Sequence, residues 1–213
     1  MLKSPFAPHI GFAATHRSVL ATEQPHPEEW AALGRRAVAG RRDAFALGRI
    51  AARRAMAHLL TSPPPVLPGR DRAPCWPEGI VGAITHAGEW GVAAAAHCPR
   101  TRAIGLDLAW LPDLREVNIA ETIADADERR WIDGDARRLL ALFSAKESVF
   151  KALYPSYGEF FGFENVTVQW TEDPAPGFSV RLLRPLGPLA TTGDRLWVGV
   201  RWTGDFVLSW LSL

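Results

Sequence analysis

The sequence predicts an α+β protein of two similar halves, and three observations carry that expectation. Apolar residues form 47% of 213, enough to bury a real core in one large domain or two small ones. Helical periodicity and strand-like alternation occupy separate blocks, in the order helix, strands, helix, strands. The blocks meet near residue 103, which divides the chain into an N-terminal half, 1–102, and a C-terminal half, 103–213. Element order alone supports the repeat, because no letter-level repetition joins the halves.

The first forty residues are mixed, with HPEEWAALGRRA (26–37) able to form a short helix. RRDAFALGRIAARRAMAHLL (41–60) predicts a stronger one: Phe45, Ile50, Ala57 and Leu60 supply apolar positions, arginines recur on the other side, and TSPPP ends it. After a Pro/Gly-rich connector to Pro77, GIVGAITH and GVAAAAH read as a hairpin around AGEWG. AIGLDLAWL (103–111) is a further strand, stopped by Pro112. Helical segments follow near 115–123, 125–132 and 135–154, the last closed by Tyr154-Pro155 because a residue before proline disfavours helix. ENVTVQW and FSVRLL, then RLWVGVRW and DFVLSWLSL around a TGD turn, are strand-like.

Bulk properties exclude several classes. A net charge of +1 argues against an electrostatic binder of nucleic acid or anionic membrane, so any anion site must be local. Cys75 and Cys98 are too few for a disulfide framework and lack metal-ligand spacing, which suits a reducing cytoplasm. MLKSPFAPHIGF has no continuous apolar run of signal-peptide type, and no stretch approaches a membrane span.

The charged residues are unevenly used. Only three of the 24 basic residues are lysines, and two of them, Lys146 and Lys151, stand in FSAKESVFKALYP (143–155). On a helix, Leu139, Leu142, Phe143, Val149, Phe150 and Leu153 share an arc about 120° wide, and Lys146 lies near its middle. Either Lys146 snorkels to water or it faces a fixed anion in a cleft. Glu147 and Lys151, four apart, share the edge of that stripe and alone would be an ordinary surface pair. In IGLDLAW, Gly105, Asp107 and Ala109 fall on one strand face; a buried carboxylate there needs a metal or hydrogen-bond donors, or else caps nearby backbone. Arg42, Arg49 and Arg53 line one side of their helix with Arg41 just off it, a solvated face or a phosphate grip. His86 ends a strand at a turn.

Taken together and in order, RRDAFALGRIAAR, RAPCWPEGIVGAITH, IGLDLAW and FSAKESVFKALYP resemble the phosphopantetheinyl transferases of the surfactin type, in the branch typified by the enterobactin-synthesis enzyme. The resemblance runs from about Arg41 to Pro155. It implies transfer of the phosphopantetheine arm of coenzyme A to a serine of an acyl or peptidyl carrier protein, releasing adenosine 3′,5′-bisphosphate, with magnesium as cofactor. The implied fold is a pair of pseudo-symmetric halves, each a small, mostly antiparallel sheet with a long helix, with coenzyme A in the cleft between them. By resemblance, Asp107 and Glu147 are metal ligands, Glu147 is also the general base, and Lys151 stabilises or protonates the leaving group. Lys146 matches a phosphate contact, and Arg41, Arg49, Arg72 and His86 match the grip on the nucleotide and its 3′-phosphate in the N-terminal half. The implied carriers serve nonribosomal peptide, polyketide or siderophore synthesis. Docking is expected on the helical segments 115–135 or the loop Tyr157–Phe161, and a cytoplasmic monomer is the simplest assembly.

One position departs from the pattern. The family reads Gly-x-Asp-x-Glu where this chain has Gly105-Leu106-Asp107-Leu108-Ala109. A methyl group cannot ligate a cation, so at most two of the usual three carboxylates are present. Water can complete a magnesium shell, since that ion commonly keeps waters beside one or two carboxylates and substrate phosphates. The alternative is a silent homologue that binds coenzyme A or a carrier without reaction. Thr85 stands where many relatives have serine, and a hydroxyl is kept. Trp110 and Glu116 lie nearby in sequence without an assigned place.

Overall fold

A computed structural model describes residues 2–34, 37–69, 71–114 and 119–213. The chain divides into two compact units, Met1–Ile104 and Gly105–Leu213, each with its own sheet and helices. No helix among the described residues is long and apolar enough to cross a membrane.

The first unit opens with a strand that sequence patterning missed, β1 (Gly11–His16). Helices α1 (Pro27–Leu33) and α2 (Ala39–Met56) follow, then a short pair, β2 (Leu67–Pro68) and β3 (Pro74–Cys75). The predicted hairpin is β4 (Ile80–Ala87) with β5 (Trp90–His97), antiparallel. The sheet order is β1-β5-β4, with β1 running antiparallel to β5. Helix α2 packs across all three strands. Ala51, Ala52, Ala55 and Met56 join Val66, Ile80, Ala93 and Ala95 in one buried cluster. Alanine dominates because the helix lies close to the sheet: a Cβ on Gly91 would stand 2.5 Å from the Leu47 carbonyl carbon.

The second unit begins at β6 (Ile104–Trp110), the expected strand. The expected segment near 115–123 falls partly outside the described residues, as does Glu116; its end is α3 (Ala120–Ile123). Helix α4 (Ala126–Ile132) starts at a capping box in which the Asp125 carboxylate accepts from the Asp127 and Glu128 N–H groups. Helix α5 (Ala136–Tyr157) is the long one. Strands β7 (Val166–Thr171), β8 (Gly177–Leu182), β9 (Arg195–Thr203) and β10 (Phe206–Ser212) complete a sheet ordered β6-β10-β9-β8-β7. Each unit therefore repeats one scheme: the leading strand lies beside the last strand, and a long helix covers the sheet.

The end of α5 corrects an expectation. The helix does not stop at Tyr154 but continues through Pro155 to Tyr157, and ends where Gly158 turns left-handed at φ 78° and donates to the Tyr154 carbonyl at 2.8 Å. Proline in the last turn forfeits one backbone bond, while burial of Ala152 and Leu153 and stacking of Tyr154 on Phe150, 5.1 Å between ring centroids, hold the turn helical.

A shared close approach explains the leading glycines. A Cβ on Gly11 would stand 2.1 Å from the Ala55 carbonyl oxygen of α2, and a Cβ on Gly105 would stand 2.1 Å from the Ser148 carbonyl oxygen of α5. This is the letter-level trace of the repeat that inspection of the sequence did not find. Three buried hydroxyls also pin α5 to β10: the Ser209 hydroxyl lies 2.8 Å from that of Ser144 and 2.6 Å from that of Ser148. Gly105→Ala is expected to lower stability by about 1–3 kcal/mol in urea titration, the usual cost of overpacking. Gly40→Ala, on an exposed helical position with open space around it, is expected to leave stability equal or higher by up to about 1 kcal/mol.

Candidate active site

The strand alternation of β6 and the helical repeat of α5 together build the candidate site. Gly105 lets β6 approach α5, and Asp107, two residues along, lies on the same strand face. Asp107 is 5% exposed. The Lys151 ammonium, partly open to solvent, donates to Asp107 Oδ1 at 2.6 Å, across 44 residues of chain. Glu147 lies one helical turn before Lys151 on α5. Burial raises its carboxyl above the ordinary glutamate range; the Asp107 charge pushes the same way, and the Lys151 charge opposes both. Asp107, Glu147 and Lys151 thus form one electrostatic group, with two negative charges against one positive when all are ionised.

Lys146, for which the resemblance implies a phosphate contact, lies apart from them. Its side chain is 2% exposed, and its ammonium donates to Glu128 Oε2 at 2.8 Å, to the Ile123 carbonyl at 2.7 Å and to the Phe163 carbonyl at 3.4 Å. Three acceptors use the three protons of an ammonium, so it does not snorkel to water and its charge is satisfied within the protein. Glu128, which sequence reasoning did not single out, is equally buried. Its carboxylate also accepts from the backbone N–H groups of Asp125 at 2.7 Å and Val168 at 2.8 Å. The pair therefore ties α4, α5 and β7 together, and removing one partner of such a pair costs about 3–5 kcal/mol. The only sequence signal for it was a lysine at the centre of an apolar stripe with no visible counter-charge.

The remaining expected residues lie in the first unit. Arg41 is exposed in the first turn of α2. Arg49 is 6% exposed, with its guanidinium carbon 4.7 Å from the centroid of the Phe45 ring and no hydrogen-bond partner for Nε. Burial lowers its pKa, and the Glu29 and Cys75 side chains work against that shift. Arg42 lies over the Trp30 ring at 5.3 Å, and Arg53 pairs with Glu23 at 3.7 Å, so of the four arginines Arg49 is the buried one. Arg72 is exposed at a left-handed turn, φ 64°, with its N–H donating to the Gly69 carbonyl. His86 is exposed near the end of β4, opposite Gly91 in register.

The donor set of the second unit fits a hard divalent cation. Asp107 and Glu147 supply oxygen ligands, their group carries a net negative charge, and Ala109, buried on the Asp107 face, supplies none. Among the described residues no cluster of three or more His, Cys, Asp or Glu side chains could hold a metal. A cation held here would take two carboxylates from this chain, with its remaining ligands coming from water or from oxygen atoms of another molecule.

Comparison with known proteins accounts for both units. Residues 28–96 match the model of the 4′-phosphopantetheinyl transferase N-terminal domain, and residues 103–209 match that of the 4′-phosphopantetheinyl transferase superfamily. The chain is 40% identical over 173 residues to 4′-phosphopantetheinyl transferase Svp of Streptomyces mobaraensis, covering 76% of this chain and 67% of that protein. It is 34% identical to 4′-phosphopantetheinyl transferase Npt of Nocardia iowensis, covering 67% and 65%, and 30% identical to enterobactin synthase component D of Salmonella typhi, covering 60% and 53%. The matches thus span about two thirds of the first two relatives and about half of the third. With a family model over half of its length, its α+β architecture and these relatives, the chain belongs to the 4′-phosphopantetheinyl transferase superfamily.

Proposed function

We propose that this chain transfers the 4′-phosphopantetheine arm of coenzyme A to a serine of an apo acyl or peptidyl carrier protein, releasing adenosine 3′,5′-bisphosphate. The observation that carries the reading is the Lys151–Asp107 contact at 2.6 Å beside a carboxyl, Glu147, whose proton affinity is raised. The comparisons lend no support to the silent alternative that Ala109 suggested.

In this mechanism the serine oxygen forms a bond to the phosphorus that bears the pantetheine arm, and the bond from that phosphorus to the bridging oxygen breaks. Glu147 takes the serine proton; a carboxylate of raised basicity is better suited to this than an ordinary glutamate. Lys151 gives a proton, or a charge-assisted hydrogen bond, to the departing bisphosphate, a task that arginine performs poorly because it holds its proton. Asp107 fixes the Lys151 ammonium by accepting from it. Asp107 and Glu147 would hold magnesium, which when bound supplies positive charge against the pyrophosphate oxygens. Arg49, a buried cation with an unused Nε–H, supports the reading of Arg41, Arg49, Arg72 and His86 as the nucleotide and 3′-phosphate grip, and of 1–102 as the nucleotide side. Residues 103–213 are then the metal and transfer side.

Phe160, 78% exposed yet 5.8 Å from the Phe150 ring that precedes Lys151, supports the loop Tyr157–Phe161 as the carrier's docking place. The free thiols Cys75 and Cys98 suit a reducing cytoplasm.

Intact mass spectrometry of an apo carrier protein incubated with the chain, coenzyme A and magnesium is expected to show the gain of one phosphopantetheine arm; an unchanged mass with bound coenzyme A would favour the silent alternative. In that assay Lys151→Arg is expected to lower the rate at least about tenfold. Glu147→Gln is expected to lose about a hundredfold or more, yet metal-free protein should unfold no more easily at neutral pH. The folded state binds the Glu147 proton more tightly than the unfolded state does. Stability therefore falls as pH rises from the ordinary glutamate range through the raised value, and the Glu147→Gln variant should lack that part of the slope in pH-dependent denaturation.

A further inference from the structure

The short ribbon of β2 and β3 carries a free thiol that the transfer chemistry does not use. Cys75 ends β3 and is exposed. Leu67 pairs with Cys75 and Pro68 with Pro74, and the Gly69 N–H donates to the Ala73 carbonyl at 2.8 Å. A Cβ on Gly69 would stand 2.9 Å from the Cys75 sulfur, so the thiol rests directly on that backbone. Main-chain pairing thus fixes where the sulfur stands.

A buried cation neighbours this thiol. The Arg49 guanidinium of α2 lies close enough to Cys75 for their charges to interact. Arg49 is 6% exposed, and its Nε–H has no partner among the described residues. Glu29 acts on Arg49 as well, but its carboxylate already accepts from the backbone N–H groups of His26 and Val66, both at 2.8 Å. The Val66 bond also ties α1 to the residue before β2, and so joins the ribbon to the helices beside it. Arg72 is exposed in the turn of the same ribbon. One buried and one exposed arginine thus accompany an accessible sulfur.

Thiol–disulfide exchange begins with attack of a thiolate on one sulfur of a disulfide. The Cys75 sulfur would form a bond to one half of the reagent while the reagent's own S–S bond breaks. The other half leaves as a thiolate, so Cys75 is oxidised as that half is reduced. Negative charge is shared among three sulfurs during the exchange, and a fixed cation beside them favours it. The same cations attract a reagent that carries carboxylates and repel one that carries amines. The setting therefore selects an anionic disulfide.

We propose that Cys75 is a redox-modification site that forms a mixed disulfide with an anionic low-molecular-weight disulfide beside the Arg49 guanidinium. Under the nucleotide role proposed above for Arg49 and Arg72, the adduct also excludes coenzyme A; this consequence rests on that reading. Intact-mass measurement and peptide mapping of the whole chain treated with oxidised glutathione are expected to show Cys75 modified at least about tenfold faster than Cys98. Cys98 is a stringent reference, since it is free and exposed and Arg100 and Arg102 follow it closely in sequence. With rates scaled to those of free cysteine, Cys75 should react at least about tenfold more slowly with cystamine, a cationic disulfide. Arg49→Met should remove the preference and leave the Cys98 rate as it was. Equal rates at the two thiols, an equal or faster reaction with cystamine, or an unchanged Cys75 rate in Arg49→Met would each overturn the proposal. The adduct is expected to bind coenzyme A at least about tenfold more weakly until dithiothreitol removes it, while Cys75→Ser binds normally and does not respond. Unaltered binding by the adduct would overturn the exclusion. A reduced chain that binds no coenzyme A would count against the transfer reading instead, and the thiol rates would still decide the modification site.

Discussion

The contact between the Lys151 ammonium and the Asp107 carboxylate joins a strand to a helix across 44 residues, and it exists only because two backbones come unusually close. Gly105 presents a hydrogen where any other side chain would strike the Ser148 carbonyl, so β6 and α5 approach until a carboxylate two residues along reaches an ammonium one turn along. The buried hydroxyls of Ser144, Ser148 and Ser209 hold the other neighbour of that helix, β10, with hydrogen bonds rather than bulk. Close packing in this unit is thus a condition for the chemistry as well as a source of stability.

The two lysines of the signature stretch differ in a way that their spacing does not reveal. Both lie on α5, five residues apart. Lys146 is enclosed by Glu128 and two carbonyls and fixes α4 and β7 in place; Lys151 keeps part of its surface open beside two carboxylates. A chain that has only one other lysine, Lys3, keeps lysine at both positions for different reasons. The first needs a compact head with three donors inside a small polar nest, and under the proposed mechanism the second needs a proton that can be given up.

Much of the fold was legible in the sequence because its elements are strongly patterned. The periodicity of 41–60 and 135–154 and the alternation of the strands after 164 mark them without tertiary information. GFAATH was illegible because its residues show no clear alternation; β1 is a strand by virtue of pairing with β5, a long-range fact. Pro155 misled for a similar reason, since tertiary packing outweighed a local rule. Within the site, Asp107 and Lys151 were brought together only by the resemblance to a family. Glu128 escaped notice because an acid in an ordinary capping box gives no sign that its carboxylate reaches into the core.

The central claim is that Asp107 and Lys151 act as one unit in the transfer step, and a double-mutant cycle on the transfer rate tests it most directly. The account predicts that Asp107→Asn and Lys151→Met each cause a large loss, and that the double variant loses little more than the worse single one. Losses that multiply in the double variant would show two independent groups and contradict it.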